Sequence, residues 1–259
     1  MKILTYNIWV SEKDFDIRLE LLCEVIKQNN VDIIGLQEVR DEGVVNYIRE
    51  KCGYEYSLWK KYHDCEEGLA ILSRYPIIHS ETNWEENEEI HNSGVLRTVI
   101  DYKGMNIGVT NVHLDYKSAL NREIEIVKAI KRIKKYETTD YEFIIGDFNS
   151  YENSSVHRYL TGEQSLDNHA TWWIDLAESY AVKHNMKAKV TLDFKNNPRW
   201  DSEYAIEVPG RFDWVMLEYP YPKVSPKLVE VEVIGNHRVN NLTPSDHYGV
   251  VCDLEFEQY

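Results

Sequence analysis

The sequence has few cysteines, and they are spread out. Cys23, Cys52, Cys65 and Cys252 are the only four in 259 residues, and no two form a CxxC pair. Thiolate zinc sites and dithiol redox centres need such pairs, so neither is expected. The HExxH signature of helical zinc hydrolases is also absent. No apolar run approaches the ~20 residues that cross a bilayer. The opening Met1-Lys2-Ile3-Leu4-Thr5-Tyr6-Asn7 is too short and too polar for a secretory leader. Reduced thiols in a cytoplasmic protein without integral membrane association are the reading. Basic residues are in deficit: 29 Lys and Arg stand against 44 Asp and Glu, a net charge of −15. Long nucleic acids are held by basic surfaces through counterion release, so this balance disfavours a polynucleotide partner unless a local patch overrides it. An acidic chain that handles phosphate needs a cation to offset its carboxylates.

What the chain does have is core-forming material, with 43% hydrophobic residues and no internal repeat or low-complexity linker. The expectation is one domain over residues 1–259, as a monomer. Strand and helix patterns alternate. Lys2 to Ile8 reads as a strand. A helix follows from Asp16, with Ile17, Leu21 and Val25 as its apolar stripe and Leu22 and Ile26 beside it, and ends at Asn29-Asn30. Val31 to Leu36 is a buried strand. A short helix runs over about Gly43 to Glu50. Gly68 to Leu72 is another strand. Val95 to Tyr102 and Met105 to Leu114 flank the hairpin turn Lys103-Gly104. Ser118 caps a long helix with Ile124, Val127, Ile130 and Ile133 on one face. Glu142 to Ile145, Phe212 to Leu217, Leu228 to Ile234 and Tyr248 to Phe256 read as strands, and Glu163 to Pro209 as irregular. Hairpins mixed with helices predict an α+β sandwich rather than a doubly wound parallel sheet.

Polar residues recur where predicted strands end: Asn7, Glu38, His113, Asp147, Asn149, Asp213, Asp246 and His247. Catalytic groups concentrate at such edges. Glu38 and Asp246 suit a hard cation, and a His beside an Asp suits proton transfer or phosphate contact. Each also has a plain structural reading. Gln37-Glu38 can be a solvated strand end, Gly146-Asp147-Phe148-Asn149 a turn, Ser245-Asp246-His247 a cap and Asn7 a bulge residue.

The ordered set Thr5-Tyr6-Asn7-Ile8, Leu36-Gln37-Glu38-Val39, Asn111-Val112-His113-Leu114, Gly146-Asp147-Phe148-Asn149, Arg211-Phe212-Asp213-Trp214-Val215 and Pro244-Ser245-Asp246-His247-Tyr248 resembles the endonuclease/exonuclease/phosphatase superfamily. Gly68 to Pro76 resembles its second-strand pattern, and the likeness runs from Lys2 to Phe256. The resemblance implies a four-layer, DNase I-like sandwich of two mainly antiparallel sheets flanked by helices, with Mg²⁺ or Mn²⁺ chemistry. It implies Glu38 as the main metal ligand, with Asn7 and Asp246 beside it, and Asp147 as the group that activates water. Asn149 and His113 would contact the phosphate. His247 would stabilise the transition state, held by Asp213.

A hydrolase of small or lipid-linked phosphate esters is the first functional reading. A DNA- or RNA-cutting nuclease is the second, and an inactive binding module on the same fold is the third. Trp9 stands where apurinic-site endonucleases carry an acidic residue, and the tyrosine of DNase I-like nucleases is not evident around Leu69. Arg40 resembles their minor-groove arginine. The basic helix end (Lys128, Lys131, Arg132, Lys134, Lys135) reads as a solvated face before a nucleic-acid patch. Trp172-Trp173, Phe194, Trp200 and Tyr204 read equally as a core under a long loop and as a lid that selects the esterified group. The acidic stretch Glu85, Glu86, Glu88, Glu89 reads as a solvated loop.

Overall fold

The computed structural model describes residues 1–62, 65–81, 94–134, 139–200 and 206–257. Its elements are β1 (Lys2–Asn7), α1 (Phe15–Asn29), β2 (Ile33–Val39), α2 (Glu42–Cys52), β3 (Tyr56–Lys61), β4 (Gly68–Ser73), β5 (Ile77–Glu81), β6 (Gly94–Tyr102) and β7 (Met105–His113). They continue with α3 (Ala119–Ile133), β8 (Tyr141–Asp147), α4 (Ser155–Leu160), β9 (Trp173–Asp175), α5 (Leu176–Lys183), β10 (Asp213–Glu218), β11 (Lys227–Ile234) and β12 (Gly249–Glu255).

The strands form two six-stranded sheets, ordered β11-β12-β1-β2-β4-β3 and β5-β6-β7-β8-β10-β9. Pairing is mainly antiparallel, with β1–β2 parallel in one sheet and β7–β8 parallel in the other. The two-residue period of a strand builds the layers. In the first sheet Ile3, Ile33 and Ile71 face the second sheet and meet Leu96, Val109, Phe143 and Val215. Their neighbours Leu4, Ile34 and Leu72 face the other way, onto Leu22 and Ile26 of α1 and Val45 and Ile48 of α2. The outer face of the second sheet packs Val112, Ile144 and Trp214 on Ile126 and Ile130 of α3 and Tyr159 of α4. Four layers result, as the resemblance implies.

The sequence reading misplaces some elements. β3 and β5 are partly exposed strands at sheet edges, with little apolar alternation to betray them. β9 and α5 lie inside the stretch read as irregular; α5 is short and is capped by the Asp175 side chain, which accepts the Glu178 N–H. On α1 Leu21, Leu22 and Ile26 are buried as expected and Arg18 joins them, while Ile17 is exposed. On α3, Ile124 is exposed and Ile126 is buried in its place.

Lys131, Arg132 and Lys134 are ion-paired with Asp167, Glu81 and Glu218, as fits a solvated face. Lys135, Tyr204 and the stretch Glu85 to Glu89 lie outside the described residues. Among the described residues, no helix is long and apolar enough to cross a membrane.

Candidate active site

Strand register assembles the site. β7 and β10 flank β8, and His113 and Asp213 both pair with Asp147. Three chemistry-bearing residues therefore form one row at a sheet edge. Gly146 makes the row possible: its φ is +148°, and a Cβ would stand 2.0 Å from the Val112 carbonyl oxygen. Only glycine fits there. Past the strand end, Asp147 Oδ1 accepts the Asn149 N–H at 2.8 Å, an Asx turn that holds Asn149 at φ +47°. The Asn149 amide donates to the Leu114 carbonyl at 2.8 Å, tying the two loops together.

The first sheet contributes Glu38 through an irregularity. The β2–β4 register shifts between Leu36 and Val39, and Glu38 sits at φ +57°. A bulge re-aims a side chain that regular alternation would send elsewhere, and a left-handed glutamate is strain of the kind stored at functional sites. The Glu38 carboxylate accepts the Val10 N–H at 3.0 Å and the Asn7 amide at 2.9 Å. The same Asn7 nitrogen donates to Asp147 Oδ2 at 3.0 Å, so Asn7 joins the carboxylates of the two sheets. Its oxygen accepts the Trp9 N–H at 3.0 Å. Asn7 therefore turns its NH₂ group, and not its oxygen, to the centre, which differs from the ligand role expected of it. Beneath, the buried Gln37 amide donates to Asn111 at 2.6 Å, and Asn111 donates to the Leu36 and Ala70 carbonyls.

Two imidazoles flank Asp147. His113 Nε2 and His247 Nε2 stand 3.7 and 3.8 Å from its Oδ2. Each ring is fixed from behind. His247 Nδ1 is 3.0 Å from Asp213 Oδ2, and His113 Nδ1 is 3.0 Å from the Tyr62 hydroxyl. Burial works against a charged His247, but the carboxylates of Asp213 and Asp147 outweigh it and hold its pKa well above the ordinary value. Asp147, Asp213 and His247 place ligand-type atoms within 4.8 Å of one another. With Nδ1 already on Asp213, that trio is an imidazolium–carboxylate arrangement rather than a cation cage. His157, Asp175 and Glu178 make a similar group elsewhere. There, Arg211 already donates to Asp175 at 2.6 Å and supplies the positive charge.

The carboxylates with negative charge to spare lie around Glu38. Asp246 is pushed up to about 6 by burial and by the charge of Glu38, with His247 opposing. Glu67 is pushed up to about 7 by the same two causes. Among the described residues neither Glu38 nor Asp246 is ion-paired with a lysine or arginine. A hard, oxygen-seeking divalent cation fits this donor set.

Sequence reasoning missed several residues that build the site. Tyr62 carries no motif signal. Thr191 accepts the N–H groups of Phe212 and Asp213 on one hydroxyl, at 3.0 and 3.1 Å. Arg18 is buried on α1 and donates to the carbonyls of Ile8, Trp9, Ser11, Lys13 and Pro244. Arg40 is ion-paired with Glu12 and Asp41 and stacked on Phe15 at 4.1 Å, so its minor-groove likeness ends at sequence. The aromatic group divides: Trp173 is buried core, and Trp172 is exposed and stacked on Tyr219 at the far end of β10. Trp200 packs on Phe194 and donates to the Asp246 carbonyl at 3.2 Å. It supports the site from behind rather than forming a lid.

Comparison with known proteins bears on the family and the fold. The family model described as "Endonuclease/Exonuclease/phosphatase family" matches residues 4–247. The uncharacterized protein YbhP of Escherichia coli is 27% identical over 176 residues, covering 60% of this chain and 69% of its own. Inositol phosphosphingolipids phospholipase C of Saccharomyces cerevisiae is 24% identical over 88% of this chain, which spans 53% of the yeast protein. Among solved structures, D. rerio TDP2 complexed with single-strand DNA product superposes with a TM-score of 0.80 at 17% identity, covering 99% of both chains. An endonuclease/exonuclease/phosphatase from Bacteroides vulgatus gives 0.75 at 18% identity, covering 99% of this chain and 98% of its own. A match over residues 4–247, nearly the whole chain, means that this chain belongs to the endonuclease/exonuclease/phosphatase family.

Proposed function

We propose that the protein is a divalent-metal-dependent hydrolase of small or lipid-linked phosphate esters. The observation that carries this reading is the meeting, across two sheets, of a buried His247–Asp213 pair, the Asp147 carboxylate and the unpaired carboxylates at Glu38 and Asp246. Glu38 and Asp246 would hold Mg²⁺ or Mn²⁺, which when bound polarises a phosphoryl oxygen and steadies a leaving oxyanion. The remaining roles belong to this chain's own side chains. Asp147, with Oδ2 facing both imidazoles and the Asn7 amide, orients the attacking water and takes its proton. His113, its Nδ1 held by Tyr62, and Asn149, with one amide hydrogen used on Leu114, present N–H groups to the phosphate. His247, kept positive by Asp213, balances the charge that grows on the phosphoryl oxygens during in-line attack. Asn7 keeps Glu38 and Asp147 at a fixed spacing.

A small or lipid-linked substrate is favoured over a polynucleotide by the net charge of −15 and by the engaged Arg40. The lipid-linked form draws on the likeness to the yeast sphingolipid phospholipase C and on exposed Tyr116, Tyr151, Ile206 and Val208, in loops that adjoin the site strands. The nuclease reading has the TDP2 fold likeness behind it, at an identity that carries the fold alone.

Salt separates the two. A nuclease loses duplex affinity with a slope near −0.9 per phosphate contact. The KM of this protein for a small ester should change less than about twofold between low and physiological salt. Steep salt dependence on duplex DNA, with no turnover of small esters, would install the nuclease instead.

Metal binding should also depend on pH in a set direction. Unfolded carboxylates ionise near 4, whereas Asp246 and Glu67 ionise near 6 and 7 in the fold. Their folded pKa values are raised, so they cost nothing below about pH 4, destabilise the metal-free fold increasingly as pH rises from there, and exert the full cost above about 6 and 7. A bound cation relieves that cost. Added Mg²⁺ should therefore raise Tm more at pH 8 than at pH 5 in a thermal-shift series. An equal shift at both values would contradict the assignment.

A further inference from the structure

We infer that the turn Asn197-Pro198-Arg199-Trp200 is a positioning element for Asp246 and His247, with the Asn197 amide at its centre. The inference rests on the hydrolytic reading above and extends it to residues that touch neither substrate nor ion.

The segment Thr243 to Asp246 enters β12 from an irregular loop, so sheet pairing does not hold its backbone. Instead, four consecutive carbonyls are each gripped by a side chain from elsewhere. The Thr243 oxygen accepts Nε and Nη2 of Arg199, at 3.0 and 2.6 Å. The Pro244 oxygen accepts Arg18 Nη1 at 3.3 Å. The Ser245 and Asp246 oxygens each accept the Asn197 amide at 3.0 Å, and Asp246 also accepts the Trp200 indole.

Asn197 is fully buried, and its oxygen accepts the Thr243 hydroxyl at 2.9 Å and the Arg199 N–H at 3.0 Å. Two donors and two lone pairs are all that a primary amide has, and all four are engaged. A neutral amide is also the right chemistry beside Asp246, because it restrains the backbone without adding charge next to Glu38. The clamp reaches the other side of the centre as well. Arg18 and Arg199 stand 4.7 and 5.7 Å over the Trp9 ring, and Val10, the next residue, holds the Glu38 carboxylate. One device thus sets both carboxylates.

Asn197→Asp removes both donors while keeping size. Misplacement of a reacting group by about 1 Å costs ~10²-fold in rate, so kcat should fall ~10²-fold with KM for a small chromogenic phosphodiester nearly unchanged. Affinity for Mn²⁺ alone, read by calorimetry, should weaken by tenfold or more. Trp200→Phe keeps the ring on Phe194 but removes one donor, and should lower kcat and Mn²⁺ affinity several-fold in the same pattern; it carries the test if Asn197→Asp does not fold. Val45→Ala, on the buried face of α2, is the control for lost stability. Its Tm should fall while kcat and Mn²⁺ affinity stay at wild-type values. Wild-type kcat and Mn²⁺ affinity in the turn variants, or the same losses in Val45→Ala, would overturn the positioning role. Failure of the hydrolase reading is a separate result: wild type without Mn²⁺-dependent turnover. The calorimetric comparison decides the positioning role in that case too.

Discussion

His247→Ala is expected to lower kcat by ~10²-fold or more on any phosphate ester that the wild type turns over, the scale of a lost charge-stabilising partner. The imidazole has carboxylates on both sides: Asp213 on Nδ1 at 3.0 Å, and Asp147 at 3.8 Å from Nε2. Burial alone would discharge the ring, but these carboxylates hold its pKa well above the ordinary value. The ring is therefore positive at neutral pH and offers an N–H where negative charge grows. That contribution is present at neutral pH and is lost as pH rises through the raised pKa, so the rate profile should have an alkaline limb that His247→Ala lacks. Asp213→Asn should lower kcat in the same direction, because Nδ1 then loses its carboxylate. Steady-state kinetics across pH are the check. Wild-type kcat in both variants would remove the pair from the mechanism.

Glu38→Ala should abolish divalent-ion binding as read by calorimetry, and turnover with it. Glu38 is the one carboxylate that the β2 bulge turns into the centre at a left-handed φ. Asn7 and Val10 fix both of its oxygens, and its charge raises the pKa of Asp246 and Glu67. Removing it takes away the proposed ligand and also the bridge through Asn7 to Asp147. Glu38→Gln keeps shape and loses charge, so weak binding in that variant and none in Glu38→Ala would separate the two contributions. Unchanged binding in Glu38→Ala would rule out its assignment as a ligand.

Much of this candidate site is legible in sequence because its polar groups sit at strand ends. Asn7, Glu38, His113, Asp147 and Asp213 each terminate or nearly terminate a strand, so apolar runs point at them and register then aligns them. The supporting groups leave no such trace. Arg18 looks like a solvated helix residue, and the periodicity accordingly selects Ile17 as buried; the true inward face is set by five backbone carbonyls that no sequence pattern displays. Asn197 lies in the stretch read as irregular and carries no signal of its own, because its partners are the carbonyls of a loop 48 and 49 positions away. Tyr62 is a tyrosine just past an edge strand until His113 is folded against it. Hairpins mixed with helices point to an α+β sandwich, and its division into two sheets follows from the family resemblance, whereas β3, β5 and β9 leave no trace, being short or half-exposed edge pieces whose side chains need not alternate.

The central claim is that carboxylates centred on Glu38 use a divalent cation to hydrolyse phosphate esters. Its most direct test is initial-rate hydrolysis of a generic phosphodiester chromogen, run side by side with Mg²⁺, with excess EDTA, and with EDTA back-titrated by Mn²⁺. The account predicts turnover in the first, none in the second and recovery in the third. Equal turnover with and without EDTA would contradict it.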